Sequence, residues 1–134
     1  MGKALPILIL IVVLMVIGVV VIQKSPFKNL VPKPQVGVEA VYAGTVPCAD
    51  CSGINETIIF YTDKTYVDQN VYQERDVTSE NKGTWTLKDN IYQLTDLESK
   101  HQSFYQIDGN KINPLDPDTL KPIDSPLNLS LTKQ

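Results

Sequence analysis

The sequence has few of the residues on which active sites and metal centres usually depend. It contains one histidine, His101, and two cysteines, Cys48 and Cys51, among 134 residues. A structural zinc site needs four such ligands, and no Ser/His/Asp triad, phosphate-binding glycine loop or histidine cluster is recognisable. No basic patch that would face phosphates is present, which argues against nucleic acid as a partner. The sequence therefore predicts a protein that is not an enzyme.

Charged and strongly polar residues are missing from Ala4 to Ile22, a run of 19 residues. As a helix this run is about 28 Å long, close to the hydrocarbon thickness of a bilayer. The run has no small-residue cleavage site of the kind that ends a signal peptide, and it contains no cysteine for lipid attachment. We therefore predict that residues 1–24 form an uncleaved anchor helix that contacts the membrane through residues 4–22.

A short segment rich in proline and lysine follows the predicted anchor. Pro26, Pro32 and Pro34 favour an extended, semi-rigid chain, so residues 25–37 are predicted to be a stalk. Lys24, Lys28 and Lys33 on this side, against Lys3 and the amino terminus on the other, slightly favour a cytoplasmic C-terminal part.

Negative charge is concentrated in the rest of the chain. All 15 acidic residues lie from Glu39 onward, together with eight of the 12 basic ones. Residues 35–134 therefore carry a net charge of −7, although the whole chain carries −3. A segment of this length can bury one small hydrophobic core.

From Val38 onward the dominant period of apolar residues is two, and no segment has a convincing helical period. Seven or eight short strands at a spacing of about 8–12 residues predict an antiparallel meander, which a closed barrel would protect at its edges. We predict turns at Thr62-Asp63-Lys64, Asn81-Lys82-Gly83, Lys88-Asp89-Asn90 and Asp108-Gly109-Asn110, and a last strand at Leu127–Thr132. The predicted domain is residues 38–134, an all-β antiparallel barrel preceded by one transmembrane helix.

The cysteine pair Cys48-Ala49-Asp50-Cys51 admits three interpretations. In a thioredoxin-like enzyme this motif begins a helix, which lowers the thiol pKa, but here Ser52-Gly53 and a β-type stretch follow. As a metal site the pair supplies two soft thiolates suited to Cu(I), and a third ligand would have to be His101 or a partner molecule. As a disulfide it would clamp the turn between the first two strands, which favours an oxidising compartment.

The stretch from Tyr42 to Ile54, with Pro47-Cys48-Ala49-Asp50-Cys51 at its centre, resembles the N-terminal domain of NlpE-type copper resistance lipoproteins. Further similarity is found at Asp63–Tyr66, Gly83–Trp85 and Gly109–Asp116, and the resemblance extends over roughly Val38 to Leu131. It implies a lipocalin-like barrel in the bacterial cell envelope, without catalysis, linked to copper homeostasis, adhesion and envelope-stress signalling. The family's two cysteines correspond to Cys48 and Cys51. We expect this pair to be a disulfide or redox clamp, or else a weak copper site.

The sequence departs from the family pattern in two ways. The sequence has no lipid-attachment cysteine, so a transmembrane anchor is expected to replace the lipid. Because the sequence ends at Gln134, we do not expect the second domain that some members carry, nor the signalling functions that depend on it. Because the family lies outside the cytoplasm, we expect the C-terminal domain to be periplasmic or extracellular, against the weak charge bias of the flanking lysines.

Two other sets of residues have both a functional and a structural interpretation. The aromatic residues either line a cavity for a small apolar ligand, as in a lipocalin-like carrier, or form an ordinary core; they are Trp85, Tyr42, Tyr61, Tyr66, Tyr72, Tyr92, Phe60, Phe104 and Tyr105. Asp116, Asp118 and Asp124 either bind a cation or form a solvated acidic turn, and the glycine of a calcium loop is missing.

Overall fold

The structure, a computed structural model, describes residues 36–134. Eight antiparallel strands in sequential order close into a barrel. They are β1 (Val38–Val46), β2 (Ile54–Tyr61), β3 (Thr65–Tyr72), β4 (Val77–Lys88), β5 (Ile91–Asp96), β6 (Gln102–Asp108), β7 (Lys111–Leu115) and β8 (Leu131–Lys133). The predicted all-β meander barrel is confirmed.

Barrel closure depends on the shortest strand. β8 pairs with Tyr42 and Ala43 of β1 and with Lys111 and Ile112 of β7. Through these pairs the two ends of the meander join, and the edges that an open sheet would expose are removed.

The inner face follows from the period of two, because successive side chains of a strand point to opposite faces. Ile58 and Phe60 of β2 are fully buried, and Trp85 of β4 is 2% exposed. The Phe60 ring stacks on Tyr92 at a centroid distance of 4.3 Å and meets Trp85 edge-on at 5.5 Å. These aromatic side chains form the centre of the hydrophobic core.

Turn chemistry sets several hairpins where the sequence predicts them. Asp89 and Asn90 both have positive φ, at 52° and 62°, which a two-residue hairpin of type I′ requires and which Asp and Asn tolerate. Asp63 accepts hydrogen bonds from the backbone N–H and the hydroxyl of Thr65. The predicted turns at 62–64, 88–90 and 108–110 are confirmed.

The predicted turn at Asn81-Lys82-Gly83 is wrong, because β4 runs through these residues without a break. Tyr66 of β3 pairs with Gly83, and Asp96 of β5 pairs with it on the other side. A Cβ at Gly83 would clash with the Thr95 carbonyl oxygen and would lie 2.8 Å from the Tyr66 ring. Gly83 therefore allows a close approach of neighbouring strands rather than a reversal of the chain.

The predicted last strand, Leu127–Thr132, is also too long. The Asn128 side chain accepts a hydrogen bond from the Ser130 N–H, and the Ser125 hydroxyl accepts one from the Leu127 N–H. These local bonds replace those of a ladder, so pairing begins only at Leu131.

The predicted anchor (1–24) and most of the predicted stalk (25–37) lie outside the described residues. Within residues 36–134 no helix has the length and apolar character needed to cross a membrane.

Candidate functional site: the CxxC turn and the barrel mouth

The CxxC motif lies in the turn between β1 and β2. Val46 pairs with Ile54, so residues 47–53 form a loop whose two ends are already held together by the sheet. Cys48 and Cys51 are joined by a disulfide, and their Cα atoms are 5.3 Å apart. The bond closes a small ring of four residues inside the loop, and Ala49 and Asp50 lie at its tip.

Gly53 connects this loop to the next hairpin. Its carbonyl oxygen accepts a hydrogen bond from the Gln73 N–H at 2.9 Å. A Cβ at Gly53 would lie 2.7 Å from the Thr45 Cγ2 atom, so a larger residue would require the Thr45 side chain or the loop to move. Asn55 Oδ1 accepts hydrogen bonds from the hydroxyl of Thr45 and from the Gln73 side chain.

Asp50, between the two cysteines, is held by Arg75 from the β3–β4 turn. Arg75 Nη2 donates to the backbone oxygen of Asp50 at 2.8 Å and lies 2.8 Å from Asp50 Oδ2. The other carboxylate oxygen of Asp50 is 3.6 Å from Cys48 Sγ. The Arg75 guanidinium, the Asp50 carboxylate and the Cys48 sulfur thus lie in a row at one rim of the barrel.

The strand after the motif bears on the redox interpretation. β2 begins at Ile54, three residues after Cys51. A thioredoxin-type site uses the N-terminus of a following helix to stabilise a thiolate, and no helix follows Cys51 in the part of the chain that the structure describes. The turn therefore fits the interpretation as a disulfide between two strands better than the thioredoxin-type interpretation.

A metal at this site would require reduction. In the disulfide neither sulfur is a thiolate, whereas the reduced pair would supply two soft ligands for Cu(I). Among residues 36–134 no three His, Cys, Asp or Glu side chains are grouped so as to hold a metal ion. His101 is therefore not brought to the cysteines as a third ligand; it lines a cavity with Asp68 and Tyr105.

That cavity is at the mouth of the barrel and has a volume of about 260 Å³. It is lined by Tyr66, Asp68, Asn81, Leu94, Asp96, Ser99, His101, Ser103 and Tyr105. The lining is largely polar, unlike the interior of an apolar carrier.

Glu56 and Asp68 point into the same end of the barrel from neighbouring strands. Glu56 shares its face of β2 with Ile58 and Phe60, and Tyr105 donates a hydrogen bond to Glu56 Oε1 at 3.4 Å. Burial first, and then the charge of Asp68, raise the pKa of Glu56 to about 7, although the hydrogen bond from Tyr105 acts in the opposite direction. Burial also raises the pKa of Asp68, whereas bonds from Asn81 and Asn70 lower it.

The aromatic residues considered above as the lining of a ligand cavity lie partly in the packed core and partly at the mouth cavity. Tyr42, Phe60, Tyr66, Trp85 and Tyr92 are at most 5% exposed and belong to the packed core. Tyr66 and Tyr105 also border the mouth cavity. Most of these rings therefore fill the barrel rather than line an apolar space.

The acidic segment after β7 contains a self-contained turn. Asp116 Oδ1 accepts hydrogen bonds from the Thr119 N–H and hydroxyl and from the Asp118 N–H. These bonds, those from Thr119 first, hold the pKa of Asp116 below its usual value. Asp116 thus caps a turn, as the structural interpretation predicts.

Sequence reasoning missed Arg75, Gln73 and Glu56. Arg75 is the only arginine in the sequence, a signal that could have singled it out. Glu56 stands two residues before Ile58 in a strand of period two, and that spacing alone places its carboxylate on the apolar face.

The fold and the site together define a class of protein: a small, closed antiparallel β-barrel with a disulfide-closed CxxC turn at its rim. The family model of the NlpE N-terminal domain matches residues 42–125. The chain belongs to this family.

Relatives support the assignment. Lipoprotein NlpE of Escherichia coli (strain K12) is 31% identical over 106 residues, which are 77% of this chain and 42% of the relative. The crystal structure of the Cpx pathway activator NlpE from Escherichia coli superposes with a TM-score of 0.60 at 30% identity, covering 66% of this chain and 47% of that one. This chain thus corresponds to less than half the length of either relative.

A second solved structure agrees in fold. The putative lipoprotein from Shewanella oneidensis has a TM-score of 0.55 and 23% identity, and covers 70% of this chain and 86% of that chain. At this identity the likeness is one of fold.

Proposed function

We propose that this chain is a non-catalytic module of the bacterial cell envelope. In this proposal residues 1–24 anchor it in the membrane, residues 25–37 form a stalk, and the barrel of residues 38–134 stands outside the cytoplasm. The observation that carries the proposal is the disulfide at Cys48–Cys51 in a chain of the NlpE N-terminal domain family, because structural disulfides persist in oxidising compartments.

A membrane-impermeant thiol reagent on intact cells tests both the compartment and the redox state. We expect the wild-type chain to react only after a reductant has been added, because the two sulfurs are bonded to each other. The Cys48→Ser, Cys51→Ser variant is the matched control and must stay unlabelled. Labelling without reductant would contradict the clamp. Labelling that needs both reductant and cell lysis would place the barrel in the cytoplasm.

The proposed partner is an envelope-stress signalling protein. The support is similarity to a relative whose crystal structure is described as that of the Cpx pathway activator. An envelope-stress reporter in the host should respond to production of the full chain and not to a chain that lacks residues 38–134. Equal responses would attribute the effect to the anchor and contradict a role of the barrel.

The proposed copper link concerns the reduced form of the same pair. Two thiolates are suitable ligands for Cu(I), and reduction of the disulfide would release both. The reduced full chain should bind Cu(I), and the Cys48→Ser, Cys51→Ser variant should lose that binding. Unchanged binding by the variant would exclude the pair as the copper site.

A further inference from the structure

The CxxC turn and the β3–β4 turn are neighbours at one rim of the barrel. β2 and β3 pair up to Ile54 and Tyr72, so the two turns begin side by side. The Gln73 N–H donates to the Gly53 oxygen just outside the disulfide ring. The β3–β4 turn therefore contacts the base of the CxxC turn through backbone atoms.

Arg75 extends this contact to the tip of the ring. Both of its acceptors, the backbone oxygen and Oδ2, belong to Asp50, and each is 2.8 Å from the same nitrogen, Nη2. Asp50 is part of the four-residue ring that the disulfide closes, so the disulfide restricts the backbone that carries both acceptors. An open chain would have to lose more conformational freedom before it could make the same two contacts.

We propose that Arg75 is a positioning residue of the CxxC turn, which stabilises the closed, oxidised ring and thereby couples the redox state of Cys48 and Cys51 to the β3–β4 turn. This inference rests on the proposed role of the pair as a redox clamp. Coupling between two sites is reciprocal. If Arg75 binds the closed ring better than the open one, then closure of the ring also orders the turn that carries Arg75.

The chemical step is an ordinary thiol–disulfide exchange with a thiol such as glutathione. The bond between the two Sγ atoms breaks, each Sγ gains one electron and one proton, and two glutathione thiols are oxidised to one glutathione disulfide. Arg75 takes no part in the electron transfer. It acts on the equilibrium because it holds Asp50 in the oxidised form.

The expected effect is modest, because the Arg75 and Asp50 side chains are 42% and 71% exposed. Ion pairs at such exposed positions contribute little, because water and salt screen them. We therefore expect that Arg75→Gln shifts the disulfide equilibrium about threefold towards the reduced form, which corresponds to about 14 mV.

The test measures the redox equilibrium of the full chain in glutathione buffers, read by alkylation and mass spectrometry. Lys88→Gln is the matched control, since it removes the same charge at the β4–β5 turn. We expect the threefold shift in Arg75→Gln and none in Lys88→Gln. A shift below 1.5-fold in Arg75→Gln, or an equal shift in the control, overturns the proposal.

Amide hydrogen exchange gives a second readout, which a merely structural contact would not move. In the wild-type chain, residues 73–76 should exchange faster after reduction, and in Arg75→Gln this redox-dependent difference should be lost. Equal exchange in the oxidised and reduced wild-type chain would refute the coupling. Both measurements use purified protein, so a negative result would contradict the coupling without contradicting the proposed location in the envelope. Conversely, a negative result of the labelling on cells would contradict that location without contradicting the coupling.

Discussion

The two ends of the barrel interior are built from different chemistry, although the same strands supply both. Towards the β2–β3 turn, Phe60 and Trp85 meet Tyr92 in a buried aromatic cluster. Towards the CxxC turn, Glu56 and Asp68 occupy the equivalent inward positions. Along β2 the change takes place between Ile58, which is fully buried, and Glu56.

This difference separates two tasks that a small barrel must combine. Hydrophobic stabilisation is concentrated at the aromatic end, where burial removes apolar area from water. The mouth end carries carboxylates whose charged forms burial disfavours, together with the disulfide-closed turn. We expect stability to depend on the first end, and the response to pH and redox conditions to depend on the second.

Truncation at the aromatic end should have the largest effect. Trp85 is 2% exposed, contacts Phe60 and Tyr92, and donates a hydrogen bond from Nε1 to the Tyr61 carbonyl oxygen. Trp85→Ala should lower the free energy of unfolding by about 3–5 kcal/mol, since it leaves a cavity in the core. Urea unfolding measures the change.

The matched control for this truncation is Leu87→Ala, two residues further along the same strand. Leu87 is 47% exposed, so its truncation should cost less than about 1 kcal/mol. Similar losses in the two variants would show that the aromatic cluster does not dominate stability.

Features that depend on local residues can be predicted from the sequence, whereas features that depend on contacts between strands cannot. Strand alternation and turn residues such as Asp89 and Asn90 act locally, so most strands and hairpins can be read from them. The role of Gly83 depends on the Thr95 carbonyl and the Tyr66 ring, which lie on other strands, and it was misread as a turn.

The candidate site can likewise be predicted from the sequence only in part. The cysteine pair is visible as a motif, and its disulfide is one of the interpretations that the motif allows. The contact between Arg75 and Asp50 spans 25 residues of sequence, so only the register of β2 and β3 brings them together. The inward position of Glu56 is predictable from alternation, but its proximity to Tyr105, 49 residues away, is not.

Neutralisation at the mouth end should stabilise the barrel in a pH-dependent manner. The pKa of Glu56 rises from 4.5 to about 7 on folding, first because of burial and then because of Asp68. Between these values the folded state retains a proton that the unfolded chain has lost, so wild-type stability falls as the pH rises through this window. Glu56→Gln does not titrate, and should gain about 1–3 kcal/mol over the wild type at pH 8 and little at pH 5.

Urea unfolding at both pH values measures this gain, and Glu80→Gln is the control. Hydrogen bonds from Gln69 and Lys82 lower the pKa of Glu80, so its neutralisation should bring no gain at pH 8. A gain in Glu56→Gln of equal size at pH 5 and pH 8 would mean that the charge of Glu56 does not destabilise the mouth.

The smallest expected effect concerns the hydrogen bond by which Tyr105 lowers the pKa of Glu56. The Tyr105 hydroxyl donates to Glu56 and lowers its pKa, against the larger effect of burial. Tyr105→Phe removes this donor, so the pKa of Glu56 should rise further, by about half a unit or less for a bond as long as 3.4 Å. Carboxyl carbon NMR of the folded chain reports this titration directly. In Tyr61→Phe the lost hydroxyl belongs to a residue on the opposite face of β2, so the Glu56 titration should not move. A downward shift in Tyr105→Phe would reverse the role assigned to the hydroxyl: it would mean that water replaces Tyr105 as a better donor, and that the mouth is wetter than its burial indicates.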